Sequence, residues 1–391
     1  MKIMFLCFIP IMRDVGGIQK VTDSLAGEFM RRGHDVIFVH YEWRDIPPDY
    51  PFTAPQHYID TRNDNRKQWV ETYLQLLRQQ GTEVVINLNS SEKSYFLLSQ
   101  TPRDVKRITT NHLQPFAGLD HLRESSPLIP GKTLKRRLNR LTGTYLPFVM
   151  RPVYARRERA NIDKMLRVSD RYCVLCAEYI ERVIRFHPNV DKSKLCFIPN
   201  PTPYPDATLD SANKQNILLY VGRLSNYPKN LIAFVRVWHR LSKANPDWKA
   251  VIVGEGSVVD RVIKPYVKSK QIPRIHFEGF QQDVTSYYKS AKFVCVTSFF
   301  EAWNMSLIEG MSFGCVPVAF DSYEGARAII SHEKDGILVK PFDEELMASA
   351  IQRLIDHPEK MRQMSQNAKE KTNTFSLQSV ADRWESLINT I

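Results

Sequence analysis

The chain has 391 residues, 43% of them hydrophobic and 25% charged, with a formal net charge of +12. That length exceeds one ordinary core and suits two domains, and the balance is that of a globular chain rather than a disordered or fibrous one. No apolar run approaches the roughly 20 residues needed to cross a bilayer, which argues against a membrane-spanning helix.

Taken in chain order, residues 2–9 form an apolar run with one lysine and no small-residue cleavage site, so they read as a buried first strand and not as a signal peptide. Gly16 and Gly17 follow. Ile18, Val21, Leu25, Phe29 and Met30 then recur at helical spacing up to Gly33, and residues 35–39 make a second strand. Strand, glycine loop, helix, glycine stop and strand are the start of a Rossmann-type unit. Residues 83–88 and 107–110 continue as short buried strands. Residues 118–159 are rich in Pro, Arg and Leu, fit no strand–helix alternation, and are expected to be an insertion on the first domain. Four prolines between Pro199 and Pro205 make a stiff junction. A second unit opens with the run 216–222, a helix over 231–243 and a strand over 249–253. Alternation continues to Val339. The expected domains are therefore 1–200 and 201–375. A last amphipathic helix, 376–391, carries Val380, Trp384, Leu387 and Ile388 on one face and is suited to packing back on the first domain.

Charge and cysteines add detail. Residues 1–200 hold 31 Lys and Arg against 21 Asp and Glu, and the rest hold 23 against 21, so the first half faces an anionic partner. Within residues 132–159, Lys132, Lys135, Arg136, Arg137 and Arg140 alternate with leucines. That pattern suits an anionic membrane surface or a polyprenyl-diphosphate acceptor, and the plainer reading is a solvated helical insertion. No nucleic-acid motif accompanies it, so no nucleic-acid partner is expected. Only Cys173 and Cys176 among the six cysteines have redox or metal-type spacing, and two buried thiols on one element explain them. The thiols point to a reduced, cytoplasmic chain.

Ligands of doubly wound sheets bind beyond the carboxyl ends of the strands, so the loops there hold the candidate chemistry. Gly16 and Gly17 allow close approach of a phosphate to a helix N-terminus, although a Gly-Gly turn alone is common. Arg223 and Lys229 follow the first strand of the second unit and suit a diphosphate, with two solvated cations as the alternative. Strand 293–296 leads into Glu301 and a helix expected to start near Ser306. Ser306 and Glu309 match a capping box, which is a purely structural role for Glu309. Glu301 then lies in the loop before the helix, and the free N–H groups of Asn304, Met305, Ser306 and Leu307 point at an anion. A carboxylate beside an anion site fits a ligand carrying both phosphates and hydroxyls, such as a nucleotide sugar.

The spacing of Glu301 and Glu309, with seven residues between, is joined by Tyr220-Val221-Gly222-Arg223-Leu224, Lys229-Asn230 and Val253-Gly254-Glu255-Gly256. Phe277-Glu278-Gly279-Phe280, Gly314-Cys315-Val316-Pro317-Val318 and Asp335-Gly336-Ile337-Leu338-Val339 complete the series. In this order they resemble the retaining glycosyltransferases of the GT-B fold, in particular the large family 4 of polysaccharide and lipid glycosylation. The first domain joins the resemblance through Gly16-Gly17 and Asn111-His112. The resemblance implies an α/β protein of two Rossmann-like domains facing a central cleft. It implies an enzyme moving a hexose from a nucleotide sugar, with a UDP-sugar favoured, to a glycan or polyprenyl-diphosphate-linked saccharide in lipopolysaccharide or capsule synthesis, at the inner face of the cytoplasmic membrane. Arg223 and Lys229 would hold the diphosphate, Glu309 the ribose and Glu301 the sugar near the reacting centre. Backbone groups of Asn304, Met305, Ser306 and Leu307 would touch phosphate and sugar, and Gly279 and Phe280 the base. Gly16 and Gly17 would close the diphosphate site, and His112 would lie by the sugar. Two departures stand out: Ala302 and Asn304 replace usual glycines, and the Asn304 side chain is expected to narrow the sugar pocket. No Asp-x-Asp is present, so no metal or other cofactor is expected, with Arg223, Lys229 and a helix end neutralising the diphosphate. A nucleotide-sugar epimerase and a non-catalytic binding protein of the same fold are the alternatives.

Overall fold

The computed structural model describes residues 1–13, 16–47, 49–120, 134–204, 207 and 214–391, with backbone only for 118, 120 and 134–150. The chain divides into two compact units. The first contains Met1–Phe116, Val153–Pro203 and Ser376–Ile391, and the second contains Ala117–Pro152 and Tyr204–Phe375.

In the first unit the strands are β1 (Lys2–Cys7), β2 (Asp35–His40), β3 (Gln56–Tyr58), β4 (Val84–Asn87), β5 (Lys106–Thr110), β6 (Arg171–Val174) and β7 (Leu195–Phe197). Between them run α1 (Gly17–Arg31), α2 (Arg66–Gln80), α3 (Glu92–Ser99), α4 (Ala117–Asp120), α5 (Leu134–Val168) and α6 (Ala177–Phe186). The sheet order is β3-β2-β1-β4-β5-β6-β7, all parallel. Successive side chains of β1 point to opposite faces. Ile3, Phe5 and Cys7 enter a core with Leu25 and Phe29 of α1, while Met4 and Leu6 enter another with Tyr73 and Leu77 of α2. Both faces are covered, which is why β1 reads as an unbroken apolar run.

The second unit has β8 (Gln215–Val221), β9 (Lys249–Val253), β10 (Ile275–Gly279), β11 (Ala291–Val296), β12 (Val316–Phe320) and β13 (Ile337–Val339). Its helices are α7 (Leu231–Ser242), α8 (Lys264–Ser269), α9 (Thr285–Ser290), α10 (Met305–Ser312), α11 (Glu324–Ile329), α12 (Glu344–Asp356) and α13 (Pro358–Lys371). The order β10-β9-β8-β11-β12-β13 again places the first strand beside both the second and the fourth. The strand order therefore runs outward in opposite directions from β8 and β11, which makes the carboxyl ends of these two neighbouring strands the switch point of the sheet. Its core packs Phe234 and Trp238 of α7 against Tyr220, Ile252 and Phe293.

The last helix, α14 (Leu377–Asn389), belongs to the first unit. Val380, Ala381, Trp384 and Ile388 enter the α1 core. Arg32 Nη1 reaches Asp382 Oδ1 at 2.6 Å and Glu385 Oε2 at 2.7 Å. Of the basic segment expected as an insertion over 118–159, residues 121–133 and the side chains of 134–150 lie outside the described residues. The backbone from Leu134 is helical as far as Val168, past the expected end of that insertion. Ala117–Pro152 groups with the second unit, whereas the sequence reading attaches the insertion to the first.

Candidate active site

The glycine pattern of the second unit has a steric origin. A Cβ on Gly254 would lie 2.0 Å from the Gly222 carbonyl oxygen, and one on Gly256 would lie 1.8 Å from that of Leu224. The loop after β9 thus lies flat on the loop after β8, tied by Leu224 N donating to the Glu255 carbonyl at 2.8 Å. Arg223 stands exposed on that doubled loop.

Lys229 sits at the far end of the β8 loop, one residue before Asn230, whose left-handed φ of 51° opens α7. Its Nζ lies 2.6 Å from Glu301 Oε1 in the loop after β11, with the two side chains 21% and 14% exposed. Ser298 Oγ donates to the same carboxylate oxygen at 2.8 Å. Two further hydrogen bonds join these loops: Thr297 Oγ1 to the Asn230 carbonyl at 3.0 Å and Phe299 N to the Pro228 carbonyl at 2.8 Å. Lys229 and Glu301 are thus brought together at the point where the strand order reverses.

The start of α10 differs from the sequence expectation. Its N-cap is Asn304, not Ser306: Asn304 Oδ1 accepts from Leu307 N at 3.2 Å and from Ser306 Oγ at 2.6 Å. Asn, like Ser, satisfies an orphan N–H at this position, and the extended residue before the first apolar turn takes the role. Ser306 and Glu309 therefore form no capping box. Asn304 is 3% exposed and its side chain is committed to the cap. Leu307 is buried, while Met305 and Ser306 are partly exposed at the helix mouth.

Glu309, one turn into α10, accepts from the Tyr288 hydroxyl at 2.8 Å. Burial, and then the Glu309 carboxylate, raise the Tyr288 phenol well above its ordinary range, so it stays a donor. Tyr288 was not singled out from sequence; a tyrosine on a short helix ahead of a strand carries no signal of its own. Gly310 follows because a Cβ there would lie 2.7 Å from Val294 Cγ1, so α10 presses on β11. At the far side of the sheet Gly279 has φ of 70°, its carbonyl accepts from Gly254 N at 2.8 Å, and Phe280 beside it is 62% exposed.

In the first unit Gly16 is the N-cap of α1 and Gly17 its first residue, with no side-chain cap and no acid in the first turn. Gly16 is extended, and nothing lies within 4 Å of a Cβ placed on it, so its use is an open helix N-terminus and not a backbone constraint. His112 lines a small cavity with Thr110, Leu175, Asn200 and Thr22. Both ring nitrogens are buried, with the Asn200 side chain beside the ring. Burial pushes its pKa down to about 4, opposed by Asn200, so the ring is neutral imidazole at neutral pH. Cys173 and Cys176 are buried thiols outside any disulfide, one on β6 and one at the start of α6. Among the described residues no three His, Cys, Asp or Glu side chains converge in a metal-binding group. Among the described residues no helix is long and apolar enough to cross a membrane.

Two family profiles divide the chain between them. The one described as Glycosyltransferase Family 4 matches residues 15–203, and the one described as Glycosyl transferases group 1 matches residues 206–371. The chain is a glycosyltransferase of the family 4 type. Its two Rossmann-like units are those of the GT-B fold. An uncharacterized glycosyltransferase of Haemophilus influenzae is 24% identical over 97% of this chain and 98% of its own length. A Campylobacter jejuni enzyme is 30% identical over 48% of this chain and 53% of its own length. Its name describes an α-1,4-N-acetyl-D-galactosaminyltransferase acting on a saccharide carried by PP-undecaprenol. Among solved structures, HepE of Anabaena in complex with UDP-glucose superposes with a TM-score of 0.72 at 14% identity, covering 100% of both chains. At that identity the likeness speaks to the fold of this glycosyltransferase alone.

Proposed function

We propose that this glycosyltransferase takes a hexose from a nucleotide sugar, with a UDP-sugar the favoured donor, and passes it to a glycan or lipid-linked saccharide in cell-surface polysaccharide synthesis. The observation that carries the reading is the Lys229–Glu301 pair at the switch point of the second sheet, with Nζ and Oε1 2.6 Å apart. A cation and a carboxylate fixed side by side there match a ligand with a diphosphate next to sugar hydroxyls. In this reading Arg223, Lys229 and the N–H groups of Met305 and Ser306 at the mouth of α10 meet the diphosphate. Glu301 accepts from hexose hydroxyls, Glu309, oriented by Tyr288, accepts from the ribose, and Gly279 and Phe280 meet the base.

Reaction with retention breaks the bond between the anomeric carbon and the diphosphate oxygen and forms the acceptor oxygen's bond on the same face. The acceptor proton goes to the departing phosphate oxygen, so no protein nucleophile is needed. Positive side chains and a helix end take the place of a divalent ion on the leaving group. The Campylobacter relative supports a lipid-linked acceptor. The described part of the basic segment, with Arg151, Arg156, Arg157 and Arg159 exposed on α5 beside Val153 and Tyr154, supports contact with an anionic membrane or lipid diphosphate.

The test is thermal denaturation with UDP-, GDP- and ADP-glucose, with and without EDTA, since a ligand that binds only the folded chain raises its Tm. A rise with the UDP-sugar that EDTA leaves intact is expected. A larger rise with GDP- or ADP-glucose, or one that EDTA abolishes, overturns the donor or the metal-free reading respectively. Incubation of the donor alone separates an epimerase, which alters it, from a transferase, which leaves the sugar's configuration unchanged.

A further inference from the structure

A second feature lies at the carboxyl edge of the first sheet, on the β3 side. Trp43, three residues past β2, is 57% exposed, an unusual state for an indole. It is held in place. The Tyr58 ring meets it edge-on with centroids 5.4 Å apart, and the Arg62 guanidinium lies 5.3 Å from its ring centroid. Its Nε1 donates to Asp45 Oδ1 at 3.3 Å. Tyr58 is itself backed by His40, stacked at 5.2 Å.

Two ion pairs adjoin this shelf. Arg62 Nε and Nη2 donate to the two oxygens of Asp60 at 2.9 and 2.8 Å, and Tyr58 Oη donates to Asp60 Oδ1 at 3.1 Å. Lys93 Nζ lies 2.5 Å from Glu42 Oε1. With Arg62 and Lys93 each held by a carboxylate and Asp45 beside the indole, the shelf is poorly suited to an anion or an anionic lipid surface. A rigid aromatic face rimmed by carboxylates and a guanidinium suits a neutral ring that is apolar on one face and hydroxylated at its edge. A pyranose has that form. The position, beyond the carboxyl ends of β2 and β3, is on the ligand-bearing edge of a doubly wound sheet.

We infer that Trp43, Tyr58, Asp60 and Arg62 form a saccharide platform that holds a neutral pyranose of the acceptor glycan. The indole takes the C–H face of the sugar, and Asp60 and Arg62 take its hydroxyls. This rests on the reading of the acceptor as a saccharide and is independent of the donor's identity.

The test uses the full chain labelled with 5-fluorotryptophan, with the Trp43 resonance assigned through Trp43→Phe. Methyl glycosides of glucose, galactose, N-acetylglucosamine and N-acetylgalactosamine are titrated to about 100 mM, enough to fill a millimolar site. A saturable shift of the Trp43 resonance with at least one glycoside is expected, with the other indoles and the UDP response unmoved. In transfer assays Trp43→Ala raises the acceptor KM about tenfold at unchanged donor KM, and Trp43→Tyr recovers most of it. No shift with any glycoside overturns the platform, as does a Trp43 signal that moves only with protein concentration, which marks a docking surface for a second copy. The donor reading stands or falls on the UDP-glucose Tm, so the two failures are distinguishable.

Discussion

Glu301 and Lys229 are each less than a quarter exposed and form an ion pair at 2.6 Å, Ser298 donates to the carboxylate, and Thr297 and Phe299 tie their loop to the Asn230 and Pro228 carbonyls. Removing the lysine takes away the cation proposed to meet the diphosphate and breaks the ion pair with Glu301. Lys229→Ala is therefore expected to lower kcat/KM by about 100-fold or more, the scale of a lost transition-state charge contact. Glu301→Gln keeps the shape and removes the charge, and the double variant should lose less than the two single losses combined, because the residues act as a pair. Steady-state kinetics with UDP-glucose read this directly, and near wild-type transfer by Lys229→Ala contradicts the assigned role. At this scale the sequence was informative about Glu301 and Lys229 because both follow strand ends. It was misleading about Ser306, since Ser and Asn cap helices by the same bond and only the backbone shows that Asn304 comes first. The Trp43 shelf was not legible at all: Trp43, Tyr58 and Arg62 are far enough apart in sequence that only the sheet order joins them.

Among the elements, α14 shows most clearly how a distant segment completes a core. Trp384 is 6% exposed among Val380, Ala381 and Ile388. Around that apolar seam Arg32 binds Asp382 and Glu385, His34 Nε2 meets Glu385 Oε1 at 2.7 Å, and Lys106 Nζ donates to the Ile388 carbonyl at 2.8 Å. His34 is the largest influence holding the Glu385 carboxyl below its ordinary range. Trp384→Ala is expected to destabilise the first unit by about 3–5 kcal/mol, the usual cost of emptying a large aromatic site. Urea denaturation followed in the first unit checks it, and a change under about 1 kcal/mol would mean the helix is only loosely docked. The apolar spacing of α14 was plain in the sequence. The helix α5 was not, because Pro147 and Pro152 lie within its span and proline ordinarily ends a helix by removing an N–H donor.

For the whole molecule, two sheets share the same order of their first four strands, and each has its own core. The repeated strand–glycine–helix pattern made both units visible from sequence, since buried parallel strands are apolar runs and crossover helices are amphipathic. The excess charge of residues 1–200 was equally visible, but its largest cluster falls mostly outside the described residues. A nucleotide sugar bound at the switch point of the second sheet would shield the loops after β8 and β11. Amide hydrogen exchange of the full chain with and without saturating UDP-glucose reads this out: slowed exchange in residues 222–230 and 297–309 is expected, and exchange unchanged there, or protection confined to other segments, rules the site out.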